Sequence, residues 1–342
     1  MILTFYDKDL NKIANNTALI IDRKNFKLIK RPIELNDFSC ICESFTEDVN
    51  PTFLAVYDDI GRNLIYSALA GVPQITYDNK TQITASDLKI LFNSDVILNY
   101  GEYTAENTIK DLFDYLFNQW KEQVNQGSFA VNLEYLDNIE NIKLTSLLPK
   151  NEIAVYNVLD EISTYLSAYN LYIDSEINFK TKTITFKIGE MLSQTKVEQI
   201  RTWEYGLKNY GKFVADINEI QGYYNDGTTL ISGSKWILTS NNEITTDLSK
   251  RDIYPIKRRV KINTESLLNA EKDALIEILN SRYNENLEIS SYGLQPTFST
   301  SFDIFIKKNN IKQFYKRLPL GELRYNYDGL YEIQIGLRYL GL

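Results

Sequence analysis

The chain has 342 residues, of which 44% are hydrophobic and 24% charged, enough material for two or more cored globular domains. Its net charge of −8 argues against general nucleic-acid binding, because non-specific affinity for phosphate comes mostly from Lys and Arg. It contains no His, which excludes Ser-His and Cys-His nucleophile activation and nearly every common zinc site. An enzyme built on this chain would be left with carboxylate pairs, Lys or Tyr chemistry, or a carboxylate-bound Mg²⁺ or Ca²⁺, and no catalytic, cofactor-binding or metal-binding residue is assigned. No apolar run reaches the roughly eighteen residues of a membrane-spanning helix. Met1-Ile-Leu-Thr4 lacks the basic and apolar regions of a secretory signal.

Residues 1–101 read almost wholly as β structure. Thr17–Asp22, Phe26–Lys30, Asp37–Cys42, Thr52–Tyr57, Asn63–Leu69 and Gln74–Tyr77 are short apolar or alternating runs. Turn signals at Asn15-Asn16, Asp48-Val-Asn-Pro51, Asp58-Asp59-Ile-Gly61 and Asp78-Asn79 separate them. This spacing predicts a closed or nearly closed barrel, interrupted by a short helix at Ser86–Phe92, with Ile97–Tyr100 returning to the sheet. Cys40 and Cys42 stand two apart on one strand and so share a face. With no second Cys pair and no His they do not complete a tetrahedral metal site, and their reading is two small residues packed on a sheet.

Thr104–Gln126 is predicted as a helix capped by Thr104, with Ile109, Leu112, Phe113, Leu116, Trp120 and Val124 as its apolar stripe. Asp111 and Asp114, three apart on it, read as a solvated face ahead of a catalytic pair. Leu133–Leu148 is strand-like. Asn151–Gly189 then reads as a helix followed by a two-stranded ribbon. Val155, Val158, Leu159, Ile162, Leu166 and Tyr169 recur at helical spacing, Asn170 marks the helix end, and Ile184, Phe186 and Ile188 alternate with Thr183, Thr185 and Lys187. Asp174-Ser175-Glu176 and Lys180-Thr181-Lys182 are the expected reversals. The unit is a small α+β module.

After an unassigned stretch at Thr195–Leu207, Lys212–Asn225 and Thr228–Ser240 flank Asn225-Asp-Gly227, a hairpin signal. Lys250, Arg251, Lys257, Arg258, Arg259 and Lys261 form the one basic cluster of an acidic chain. It reads either as a contact for DNA or an acidic neighbour or, preferred, as a charged strand edge that resists unwanted pairing. Thr264–Tyr283 is predicted as a helix capped by Thr264 or Asn263. Leu287–Ser290, Ser301–Lys307, Glu322–Tyr327 and Tyr331–Tyr339 read as strands, with a turn at Tyr327-Asp-Gly329.

Several of these phrases resemble bacteriophage tail hub proteins, the family that includes the central hub of contractile-tail baseplates and the N-terminal hub domain of siphophage tail-associated lysins. They are Asn157-Val-Leu-Asp-Glu-Ile-Ser163, the reversal at Tyr172-Ile-Asp174, Thr183-Ile-Thr-Phe186, and in the first hundred residues Arg31-Pro32, Asp37-Phe38, Phe53–Asp58, Leu69-Ala-Gly-Val72, Ile83–Leu88 and Asp95-Val96. Leu320-Gly-Glu-Leu323 and Ile333-Gln-Ile-Gly336 are similar to closing strands. The resemblance implies an α+β fold of two tube-like β-barrel domains with an inserted helix-plus-hairpin domain. Its divisions would be residues 1–101, 102–189 and 190–342, the last holding helix 264–283 and an accessory hairpin.

The resemblance further implies a non-enzymatic virion component, made in the bacterial host cytoplasm, without cofactors. It would form a homotrimer that caps the tail tube, contacts a distal tail protein or tube ring, and passes tape-measure protein and DNA without specific binding. With no lysin or host-binding region evident, the chain reads as the hub alone. The 24 Tyr leave open a carbohydrate- or receptor-binding module, and carboxylates leave open a glycosidase. The Tyr are read first as sheet faces and subunit contacts.

Overall fold

The computed structural model describes residues 1–336 except 23, 44–50, 59–60, 62, 76–79, 103–106, 125–128, 137–138, 145–152, 192–195, 205, 213–216, 241–242, 282–284, 292–295, 309 and 328–329. The described residues are mostly β structure with three α-helices, an α+β fold. The helices are α1 (Ile109–Gln123), α2 (Val158–Tyr169) and α3 (Leu267–Asn280).

All three begin later than the predicted bounds, because local capping chemistry sets the start. Thr104 lies outside the described residues. Helix α1 starts instead with a reciprocal capping box, Thr108 accepting from the Asp111 backbone while the Asp111 side chain accepts from the Thr108 backbone. Asn157 caps α2, accepting from Leu159 and Asp160 N–H at 3.1 and 3.4 Å. Val155, predicted on the helix face, therefore lies in a strand, Ile153–Asn157. Asn263 accepts from the N–H groups of Glu265 and Ser266 in a turn before α3, so Ser266 is the cap in place of Thr264 or Asn263. Asn170 ends α2 in the left-handed conformation, as its position predicts.

Fourteen strands join in one sheet. It runs from Gly206–Lys212 through Glu285–Ser291, Tyr331–Ile335 and the 15-residue strand Ile311–Tyr325 into Lys27–Lys30. From there it continues through Asp37–Cys42, Thr81–Ser86, Leu64–Ala70, Phe53–Tyr57 and Ile2–Tyr6 to Lys12–Leu19. Val197–Arg201, within the stretch left unassigned from sequence, pairs in parallel with Ser301–Lys308, which pairs with Ile311–Tyr325.

The expectation of two tube-like barrels, the first closed or nearly closed, needs correction in one respect, since no closed barrel occurs among the described residues and strands of both halves join in one sheet. The two halves meet at the long strand. Its last residues, Leu323, Arg324 and Tyr325, pair with Lys30, Ile29 and Leu28 and so join the two halves. An isolated bridge between Ile20 and Cys42 brings the end of the outermost strand back toward Asp37–Cys42.

Three smaller sheets flank the large one. Thr183–Glu190 pairs antiparallel with Leu171–Asn178 and in parallel with Ala130–Tyr135. Asp174–Glu176, expected as a reversal, is paired within that ribbon, and only the Lys180–Lys182 turn reverses the chain. Asp95–Asn99 pairs with Ile153–Asn157. The fourth sheet orders Ile244–Thr245, Leu230–Leu238, Glu219–Asn225 and Arg258–Asn263, with the predicted turn at Asn225-Asp-Gly227.

Helix α3 covers one face of this fourth sheet, enclosing Ile220, Trp236, Leu238, Ala274, Leu275 and Ile278. Gly222 makes that approach possible, since a Cβ there would stand 2.4 Å from the Ala270 carbonyl oxygen. The largest core takes Tyr6, Phe53, Phe92, Leu116, Trp120, Phe186, Phe302 and Ile333 from along the whole chain. A second core, including Leu3, Phe5, Phe38, Cys40, Cys42 and Tyr66, fills the first sheet half.

Candidate interaction surface

The sequence-level candidates for chemistry are occupied by structural work. Asp111 is held in the α1 capping box. Asp114 pairs with Lys110 and accepts from the Tyr135 hydroxyl at 2.8 Å. Cys40 and Cys42 are buried free thiols on one sheet face. Burial raises both, that of Cys42 to about 11, which leaves them protonated and weakly nucleophilic at neutral pH. Among the described residues no group of three or more Cys, Asp or Glu is arranged to hold a metal ion. Tyr6, Tyr66, Tyr100, Tyr156, Tyr165 and Tyr172 are buried, and Tyr254 is the one described Tyr that is mostly exposed. No described run of exposed rings forms a sugar-stacking platform.

The basic cluster is brought together in space, but with carboxylates set among its charges. Arg251, Arg258 and Lys235 surround the buried Glu219, with Arg258 Nε at 3.5 Å and Lys235 Nζ at 3.6 Å. Arg259 and Lys261 both pair with Glu277 of α3, and Lys250 pairs with Glu243 at 2.9 Å. Arg258–Asn263 is an edge strand among the described residues, so Arg258, Arg259 and Lys261 of the cluster stand on a sheet edge.

Two surfaces remain that sequence reasoning did not find. One is the ribbon of Asp95–Asn99 and Ile153–Asn157. Its inner face, Val96, Leu98 and Tyr156, is buried. Its outer face carries Ile97, Val155 and Ile153, which are 58%, 67% and 70% exposed. Helix α1 seals one edge with side chains. Gln123 accepts from Ile97 N–H and donates to its carbonyl, both at 3.0 Å, and the Tyr115 hydroxyl does the same for Asn99 at 2.6 and 3.0 Å. Nothing described seals the other edge, that of Ile153–Asn157. The alternation Ile153-x-Val155 was the available signal, and the helical spacing that follows it masks that signal.

The other is the polar face of the large sheet, where Glu288, Glu322, Arg324, Glu332 and Gln334 line a shallow cleft. Arg324 pairs with both Glu322 and Glu332 at 3.4 Å. Arg31 reaches the same Glu322 at 3.1 Å and Asp37 at 3.1 Å. Burial tends to raise the Asp37 carboxyl, but hydrogen bonds from Lys27 and Arg31 hold it below the ordinary range. Beneath this face Lys89 is fully buried and donates to the carbonyls of Arg31 and Glu34 beside Asp87. Burial holds its ammonium below the usual lysine range, against the pull of Asp87.

Comparison with known proteins shows no matching family model and no matching curated protein. Solved structures do match. A prophage tail protein from Listeria monocytogenes is 12% identical with a TM-score of 0.51, the match covering 99% of this chain and 95% of that one. A chain of the Francisella PdpA–VgrG complex is 12% identical with a TM-score of 0.50, the match covering 99% of this chain and 58% of that one. The fold is thus shared over essentially the whole length with a prophage tail protein, in agreement with the hub resemblance read from the sequence.

Proposed function

We propose that this chain is a structural, non-catalytic component of a phage or prophage tail, acting as a baseplate hub. The observation that carries the reading is the near end-to-end agreement with the Listeria prophage tail protein, 99% of one chain on 95% of the other. The occupied state of Asp111, Asp114, Cys40 and Cys42 favours it over an enzyme.

In this reading three copies close into a ring by head-to-tail contacts, which close when each step turns by a third of a circle. The ring caps the tail tube, borders a distal tail protein or tube ring, and lets tape-measure protein and DNA pass. Residues 1–101 and 190–342 supply two tube-like units and 102–189 an inserted one. In support, strands of the first and last share the large sheet, and a bridge joins Ile20 to Cys42 in the first. The carboxylate-rich face at Glu288, Glu322 and Glu332 suits a channel that repels the phosphate backbone. The product is a virion component assembled from protein made in the host cytoplasm.

Light scattering on a sizing column across concentrations tests it. A mass three times the 39.7 kDa chain supports the ring. A monomer up to the solubility limit removes the self-assembling ring.

A further inference from the structure

We propose that the open edge of Ile153–Asn157 in one copy pairs, antiparallel, with the open edge of Arg258–Asn263 in the next. The inference rests on the ring reading above and names the contact that would close it.

The hydrogen-bonding parity of each strand fixes which groups are free. Ile97 and Asn99 turn their backbone groups outward to Gln123 and Tyr115. In an antiparallel pair, directly opposed residues point their backbone groups either both inward or both outward. Their partners Val155 and Ile153 therefore also point outward, on the side α1 does not seal.

In the other strand, Lys257 uses its N–H and its carbonyl on Asn218 and Glu219, so Lys257, Arg259 and Lys261 face inward to the parallel neighbour. Arg258, Val260 and Ile262 face outward. Their side chains share the sheet face opposite α3, because Arg259 and Lys261 take the α3 side with Glu277. Val260 and Ile262 are 43% and 59% exposed.

Each edge thus repeats the same pattern at the same spacing, with outward backbone groups and exposed aliphatics on alternate residues. Set antiparallel, Val155 meets Val260 and Ile153 meets Ile262, while Asn157 meets Arg258. The rows beyond agree. Asp95 lies across from Asn157, beside the Arg258, Arg251 and Lys235 group whose three cations surround a single Glu219. Aliphatic meets aliphatic, and the acidic end meets the cationic end. Two edges exposing aliphatic side chains are association sites until covered, and main-chain pairing with alternate side-chain contacts is how strand addition recognises a partner.

Val155→Pro and Val260→Pro are the direct tests. Each removes an outward N–H while leaving every described intrachain ladder bond, and proline is tolerated on an edge strand in that position. The expected result is a trimeric parent and monomeric variants, with far-UV circular dichroism unchanged. Independently, the double variant Val155→Cys/Val260→Cys, treated with a short bis-maleimide, is expected to give covalent trimers, and each single variant none. Proline variants that stay trimeric, or a double variant that does not cross-link, overturn the contact and leave the ring reading standing. A monomeric parent at all concentrations overturns both. If a proline variant does not fold, the cross-linking result decides alone.

Discussion

Arg31 and Glu322 lie 291 residues apart in sequence and meet at 3.1 Å, where the first and last parts of the large sheet join. The contact stands over a buried node. Asp87 accepts from Asn36 N–H at 2.7 Å and from Lys89 N–H at 3.0 Å, and neutralises the buried Lys89 at 3.3 Å. Both members are partly exposed in the Arg31–Glu322 pair, so its loss is mild, whereas an unpaired ammonium in the node is not. Glu322→Gln is expected to lower unfolding free energy by less than about 1 kcal/mol, and Asp87→Ala by about 3–5 kcal/mol. Urea denaturation of the two variants checks the contrast, and equal effects would contradict it.

Gly222 is a packing position. The Cβ of Gly222→Ala meets backbone atoms of Ala270 and Glu271, which have no flexible end to yield. Separation of α3 from its sheet is expected, at about 1–3 kcal/mol. Hydrogen exchange localises the loss, with faster exchange in residues 217–280 and little change in the strand Asp37–Cys42.

Neither thiol is expected to react in the folded protein. Both are buried, and burial raises the Cys42 thiol to about 11 and that of Cys40 further. A colorimetric thiol assay near pH 8 should find no reactive group natively and both Cys40 and Cys42 in guanidinium. A thiol titrating at once in the native protein would refute the packing reading.

Capping of α1 gives a pH dependence of definite sign. Hydrogen bonds from the Thr108 backbone and side chain hold Asp111 below its ordinary 3.8. A carboxylate whose folded pKa is the lower one stabilises the fold fully above its unfolded value, and that stability is lost as pH falls through the folded value. The parent should therefore lose stability relative to Asp111→Asn on acidification from pH 5 to pH 3 in the window set by 3.8 and below. Near neutral pH the substitution is expected to cost about 1 kcal/mol. Paired thermal melts at several pH values measure it, and parallel curves would exclude the carboxylate's part in the cap.

Much of the fold was legible because its signals are local. The helix stripe Leu112-Leu116-Trp120, the strand alternation Thr183–Ile188, the Asn170 helix end and the Asn225-Asp-Gly227 turn each depend on neighbours a few residues away. Strand Ile2–Tyr6 was not read, since four of its five residues are buried and it shows no alternation. Val155 was assigned to a helix because its spacing to Val158 and Leu159 fits one, while Asn157 caps the helix after it.

The sequence by itself determined the α+β class, the approximate places of the three helices, the absence of His and the likeness to tail hubs. Those follow from composition, periodicity and short phrases, which the chain carries wherever it goes. Tertiary structure alone decided that one strand, Ile311–Tyr325, spans both halves, and that Glu219 and Glu277 sit among the cations of the basic cluster. It also decided that α1 seals one edge of a ribbon and leaves Ile153 and Val155 bare on the other. Strand register, edge status and long-range ion pairs are set by which distant segments meet, and spacing along the chain does not encode that partner.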